Sequence, residues 1–522
     1  MTMLSRRELL LLAGTTAGAS LLSGCASSPL LYSDQFNTFG DAERPYLGLA
    51  TTLREEPDYR AEVEGVIPRE LVGGTLYRNG PGLFDRAGRR KRNLLDGDGL
   101  VQAFRFDGQG VQYRARFVRT EKFVDEQAAG RFIYPSWSTQ APGGFWGNLL
   151  AAGRMKSQAG ITVFPWQGRL YAFDECALPY ELDPVTLETS GISSLGLPVE
   201  QSIYAAHAKF DSITGEWVHF GIEYGPAPLI HITIFRPDGS LKLHRTLPMP
   251  RYVYMHDWFV TERHLIFVLH PVEIAYLQFL FGLKSLLDAL SWRPEQGNLI
   301  MVVPRDSSGE PLLLESEALF MWHSLNAYEQ GGEIVADFIG YRDPDHFLGS
   351  DPVASAVMTG RRGNYEHPGE LYRYLIDQQG RRIQVERRGG GNVEWPRIND
   401  RFSCRRHRYG YMVKTRPGDF FWSQVCRVDL QTGRQSCHDF GAGCYCTEPV
   451  FVPQAPGHGY PAAAAVEEQG FLLTQIYHSE QRRSSLAILR ADRLEDGPLA
   501  LVRLRHHVPF SYHGWWQPGS GV

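Results

Sequence analysis

The sequence predicts an all-β fold, a propeller of radial sheets, on three observations. Apolar and polar residues alternate in short runs. These runs come in pairs around glycine-containing turns, which is the signature of hairpins. The composition, with 54 glycines and 12% aromatic residues, leans towards sheets and turns. At 522 residues and 43% hydrophobic, the chain suffices for several ordinary domains or one large all-β assembly. Recurrence of hairpins over several hundred residues favours the assembly.

Taken in order, the paired runs are 104–117 around Asp107-Gly108-Gln109-Gly110, and 162–173 around Gln167-Gly168. Next come 207–220 around Thr214-Gly215, 230–247 around Pro237-Asp238-Gly239, and 299–314 around Ser307–Gly309. The last two are 371–386 around Gln379-Gly380 and 425–439 around Thr432-Gly433. No strict period links them, so the chain is not a WD-type array, and the pattern alone does not count blades. One stretch breaks the rhythm. Residues 272–292 are apolar nearly all round, with only Glu273, Lys284 and Asp288 charged, and their spacing suits one or two helical turns. Such a segment is either a buried helix or a patch facing a membrane or a lipophilic substrate. Residues 145–150 are expected beside it.

The N-terminus is a targeting segment. Ser5-Arg6-Arg7-Glu8-Leu9 is a twin-arginine pattern, 10–22 a short apolar run, and Leu22-Ser23-Gly24-Cys25 a lipoprotein box. Residues 1–25 are therefore expected to be a signal, with Cys25 lipidated, 26–44 a tether, and 45–522 one propeller domain. The expected location is periplasmic and membrane-anchored, after export in the folded state. Of seven cysteines, six remain beyond Cys25. Cys426 and Cys437 flank a hairpin, Cys444 and Cys446 are two apart, and an oxidising compartment permits disulfides whose pairing stays open. The net charge of −5 and scattered basic residues exclude nucleic acid as a partner.

Seventeen histidines are present. His407, among arginines, and His506-His507 sit in polar contexts and read as exposed. Four others end or interrupt apolar strands: His207, His256, His323 and His513. Where propeller strands meet at the axis, four neutral imidazoles would make an all-nitrogen site for a divalent metal. Such ligands need acceptors for their second ring nitrogen. Glu175, Glu394 and Glu448 are carboxylates in strand-like, apolar settings. Spacing does not fix this grouping.

Several ordered motifs carry more information. They are Leu76-Tyr-Arg-Asn-Gly-Pro-Gly, Asp96-Gly-Asp-Gly-Leu, Ala206-His-Ala-Lys-Phe-Asp, Met255-His-Asp-Trp-Phe-Val-Thr-Glu, Trp322-His-Ser-Leu-Asn-Ala-Tyr-Glu, Glu394-Trp-Pro-Arg-Ile-Asn, Glu448-Pro-Val-Phe-Val-Pro and Tyr512-His-Gly-Trp-Trp. From about Pro45 to its end the chain resembles the carotenoid cleavage oxygenases. The resemblance implies a seven-bladed propeller, here with a short apolar helical cap over the iron-facing end. It implies non-haem Fe(II) held by His207, His256, His323 and His513. Glu175, Glu394 and Glu448 would orient three of the rings, leaving His207 without a glutamate. The implied reaction is oxidative cleavage by O2 of a conjugated C=C bond in a carotenoid or apocarotenoid, giving two carbonyl products, with no catalytic residue beyond the iron centre. Alternatives are cleavage of a stilbene-like aromatic alkene and a non-catalytic propeller that binds a hydrophobic ligand. Residues 272–292 and Cys25 would hold the enzyme at a membrane surface.

The chain departs from the family in three places. Ala208 follows the first histidine where proline is usual. Ile161 stands where a threonine often neighbours the iron's open position. No lysine near Gly143–Gly144 matches the one with which stilbene-cleaving members engage a phenol. Asn79, Asp96, Asp98 and Asp257 lie in the motifs and read as turn and cap residues.

Overall fold

The two ends of the chain close one sheet. Thr75–Asn79 pairs antiparallel with His513–Gln517, and Asn79 lies opposite His513. The computed structural model describes residues 31–32 and 43–519, apart from 152–154, 176, 351, 364–365, 418, 420 and 455–465. The twin-arginine pattern and Cys25 lie outside the described residues. Within the expected tether, Leu31–Tyr32 pairs with Arg89–Arg90.

Among the described residues, five four-stranded antiparallel blades follow in chain order, over 162–192, 209–248, 259–316, 320–389 and 393–439. Each hairpin read from the sequence forms at its expected turn. Middle strands are buried on both faces: Leu229–Phe235 and His264–Leu269 are buried beyond their first residue. Adjacent blades cover both faces, so these strands read as apolar runs rather than alternating ones. Gly110–Phe117, by contrast, alternates strictly.

The seven-bladed expectation is corrected here. Apart from two small sheets, around Arg89–Arg90 and at the ends of 272–292, the remaining strands join one 11-stranded sheet, a half-barrel, in place of further separate blades. One strand, Asp58–Gly65, is responsible. Its first half (58–61) pairs with 111–114, while its second half (62–65) pairs with 500–503. A strand that belongs to two sheets fuses them. Its second partner lies at the opposite end of the chain, beyond any local pattern.

The helical cap is corrected as well. Residues 272–292 begin and end as strands, Val272–Ile274 paired with Leu290–Trp292. Between them lie one five-residue helix, Tyr276–Leu280, and a 3-10 turn, Leu287–Ala289. Gly282 ends the helix in the left-handed region at φ +69°, packed so closely on Asn148 that a side chain there would meet its backbone. The apolar residues at the ends pair as strands because that satisfies their backbone groups. No helix among the described residues is long and apolar enough to cross a membrane.

Cys426 and Cys437 face each other across two strands of the fifth blade and form a disulfide. Two histidines that read as exposed are buried. His407 packs beside Asn326 and Asp337, and His507 bonds the Thr51 carbonyl. Arg406, next to His407, is exposed instead.

Candidate metal centre and substrate cavity

Four chain segments deliver four imidazoles to one point. His207 precedes the strand Lys209–Phe210, and His256 precedes Phe259–Val260. His323 lies within Phe320–Gln330, and His513 opens His513–Gln517. The pairing register of Phe320–Gln330 slips between Met321 and Ser324. This bulge re-aims His323 out of the ladder. One nitrogen from each ring lies within 4.8 Å of the others, and all four residues are buried.

Three rings are oriented by carboxylates. His256 Nδ1–H donates to Glu175. His323 Nδ1 lies 2.6 Å from Glu394 Oε2, and His513 Nδ1 lies 2.9 Å from Glu448 Oε1. With Nδ1–H given away, each of these rings turns a bare Nε2 lone pair inward. His207 Nε2 meets His256 Nε2 at 2.9 Å, and the buried His323 Nε2 makes no hydrogen bond. Converging lone pairs repel one another unless a cation lies between them, so the donor set fits a divalent metal.

The charge environment agrees. Burial, reinforced by the other three rings, holds His207 well below the ordinary imidazole value. Burial likewise takes His513 down to about 4 despite Glu448. For His323 burial also acts downwards, but Glu394 outweighs it and the value rises. Glu448 is the converse case: burial would raise it, yet Arg397, His513 and Arg78 bring it to about 2. It stays ionised and keeps its grip on His513.

The sequence assigned no role to Arg78 or Arg397, though both lie in the quoted motifs. Arg78 is fully buried and donates to the Glu448 carbonyl at 2.9 Å and to Ser511 Oγ at 3.0 Å. Arg397 lies 3.6 Å from Glu448 Oε1. A lone arginine in a strand gives no local sign of burial; only its pairing does. The motif residues read as turns and caps divide. Asp96 closes a capping box with Asn93 and accepts from Ser138 N at 2.8 Å. Asp98 pairs with Lys122 and Arg86 in the interior. Asn79 does more than turn the chain. Its amide donates to the carbonyls of Ala159 and Thr162, both at 2.9 Å, and so fixes the backbone around Ile161.

Two cavities border the cluster, and His323 and His513 line both. One holds about 1100 Å³ of space, its mouth included, and is walled by Ile161, Trp137, Tyr254, Trp322, Phe347, Trp395 and Phe510 with His256, His323 and His513 at its inner end. No lysine or arginine lines it among the described residues. The other is mixed, with Lys209, Asp257, Ser324 and Asp400 beside His207 among aromatic and aliphatic walls. The apolar cavity can therefore take a lipophilic chain up to the cluster and exclude water around it.

Residues 49–518 match the retinal pigment epithelial membrane protein family. The chain belongs to this family, the carotenoid cleavage oxygenases. Apocarotenoid-15,15'-oxygenase of Synechocystis is 32% identical over 475 residues, covering 88% of this chain and 94% of that one. Isoeugenol monooxygenase of Pseudomonas nitroreducens is 28% identical over 489 residues, covering 90% and 97%. Cobalt-substituted Synechocystis apocarotenoid oxygenase superposes with a TM-score of 0.84 at 30% identity, covering 91% of this chain and 99% of that one. As a carotenoid cleavage oxygenase, the chain is a dioxygenase that cleaves an alkene oxidatively, and its cofactor is Fe(II). The four imidazoles are the group that could hold that ion, and when bound there it supplies the activation of O2. The chain itself orients the imidazoles, seats the alkene and keeps water out.

Proposed function

We propose that this enzyme cleaves a conjugated double bond of a carotenoid or apocarotenoid into two carbonyl products, at a membrane surface outside the cytoplasm. The observation that carries the reading is the apolar, aromatic-walled cavity that ends on His256, His323 and His513. A long polyene loses little by leaving water for such a cavity, and gains about 25 cal/mol per Å² of apolar surface buried. The likeness to an apocarotenoid oxygenase supports the same substrate class. Among the described residues no cation lines the cavity, which disfavours a phenolate as the anchor of a smaller aromatic alkene.

Membrane contact is supported by three exposed apolar side chains on two neighbouring segments. Trp146 is 67% exposed and Leu150 73%, both on Gly144–Ala151, and Leu277 of the 272–292 excursion is 64% exposed. That excursion packs against Trp137 of the cavity wall, through Leu287 N–H to the Trp137 carbonyl. Export through the twin-arginine route and lipidation at Cys25 would keep the enzyme beside a lipid-borne substrate, and a disulfide suits an oxidising compartment.

Aerobic incubation of the iron-loaded protein with a panel of carotenoids, apocarotenoids and hydroxystilbenes tests the reading, with products identified by mass. The expected result is paired carbonyl fragments from a polyene. Turnover of the stilbenes alone would overturn it.

A further inference from the structure

Of the four imidazoles, His207 is the one without a carboxylate on its ring among the described residues. Nor does a proline ring set the backbone beside it, since Ala208 follows. Its position must come from elsewhere. The indole Nε1–H of Trp258 donates to the His207 carbonyl at 2.8 Å. Two residues beyond His207, Lys209 Nζ lies 2.7 Å from Asp257 Oδ1 and donates to Ser324 Oγ at 2.8 Å. Ser324 closes the set, donating from both its backbone N–H and its hydroxyl to Asp257 Oδ2, each at 2.8 Å.

The order of these residues along the chain matters. Asp257 and Trp258 directly follow His256, and Ser324 directly follows His323. Two ligand segments thus hold the third at the His207 carbonyl and again two residues beyond it. Trp258 is fully buried and Asp257 nearly so, while Lys209 keeps 21% of its side chain exposed. In a low-dielectric interior a satisfied network of this kind rigidifies what it joins. A hydrogen bond to the His207 carbonyl fixes the adjoining peptide plane and with it the direction of the Cα–Cβ bond.

The geometry points to Trp258 and the Lys209–Asp257–Ser324 network as positioning residues of His207. They do through the main chain what the three glutamates do through the other rings. The inference rests on the reading of the four imidazoles as the metal centre, and it adds to that reading a second means of holding a ligand, specific to the ring that lacks a carboxylate.

The test uses the full chain, stripped with a chelator and reloaded with Co(II). The visible spectrum and the dissociation constant, from chelator competition, are read together with the urea-unfolding midpoint of the stripped protein. Trp258→Phe keeps the ring and loses the donor; Lys209→Met loses the ion pair, and Lys209→Arg retains it. His207→Ala marks the spectrum of a three-imidazole site. Trp258→Phe and Lys209→Met are each expected to weaken Co(II) binding roughly 10- to 100-fold, the range for groups that orient a metal ligand. Their spectra should shift towards that of His207→Ala, and Lys209→Arg should restore both signals. Wild-type spectra and affinities in the variants would overturn the inference, as would Lys209→Arg behaving like Lys209→Met. Lys209 is partly exposed, so its two variants decide the matter even where Trp258→Phe does not fold. Failure of the wild-type chain to bind Co(II) at four nitrogens would instead remove the metal-centre reading itself.

Discussion

Glu394 Oε2 lies 2.6 Å from His323 Nδ1, although 71 residues and a change of blade separate them. The same oxygen also accepts the backbone N–H of Trp395, whose φ of 57° is left-handed, so the carboxylate is held from its own strand. This pairing fixes the imidazole plane. His323→Ala is expected to remove most bound iron, as is His256→Ala, and full iron content in either variant would take that residue out of the ligand set. Glu394→Gln keeps an acceptor and loses the charge. It should weaken metal binding about 10- to 100-fold while changing unfolding free energy by no more than about 1 kcal/mol. Equal losses in activity and stability would count against an orienting role.

Ile161 walls the apolar cavity beside three of the imidazoles and is nearly buried. Its backbone is held by the Phe173 carbonyl at 3.1 Å and, through its neighbours, by Asn79. Ile161→Thr places a hydroxyl there without a large change of shape. The prediction is a lower kcat and less product per O2 consumed, at unchanged iron content. Stability should fall by about 1 to 3 kcal/mol for the buried hydroxyl. Oxygen uptake measured alongside product decides it.

Arg78 ties its strand to the segments that carry Glu448 and lead into His513, donating to the carbonyls of Glu448 and Tyr512 and to the hydroxyls of Thr447 and Ser511. Arg78→Met strands these acceptors and leaves Glu448 short of a positive neighbour. Urea unfolding should register a loss of about 3 to 5 kcal/mol, since several buried acceptors lose a charged donor at about 1 to 3 kcal/mol each. A loss under about 1 kcal/mol would mean the arginine is dispensable.

Acid stability has a distant contributor. Burial alone would raise Glu329, but hydrogen bonds from His264, Thr261 and Arg263 take it from 4.5 to about 2. A carboxylate with a depressed value stabilises the fold above its unfolded value, and the benefit is lost as pH falls towards the folded one. Between pH 5 and 2, Glu329→Gln should therefore show a shallower decline in stability than the parent, while the two differ by a constant amount near neutrality. Parallel acid limbs would exclude the carboxylate as a source.

Trp146→Ser with Leu277→Ser should reduce flotation with lipid vesicles severalfold and leave turnover of a detergent-dispersed substrate intact. Each exposed apolar side chain removed costs on the order of 1.5 to 3 kcal/mol of burial in the membrane interface. Unchanged flotation would detach the patch from membrane contact.

The sequence by itself determined the class of fold, the hairpins and their turns, because alternation and glycine turns are local properties of the chain. It also supplied the four histidines and three glutamates, though only through resemblance, since no spacing rule joins His207 to His513. The tertiary structure decided the rest. Asp58–Gly65 pairs at once with residues near each end of the chain, which replaces separate blades by a half-barrel. The apolar run 272–292 closes as a strand pair with a single short helix because its ends satisfy each other's backbone groups. The hold on His207 is likewise invisible in the sequence. Trp258, Asp257 and Ser324 look like ordinary neighbours of other histidines until the blades bring them together, because such bonds form across strands and not along them.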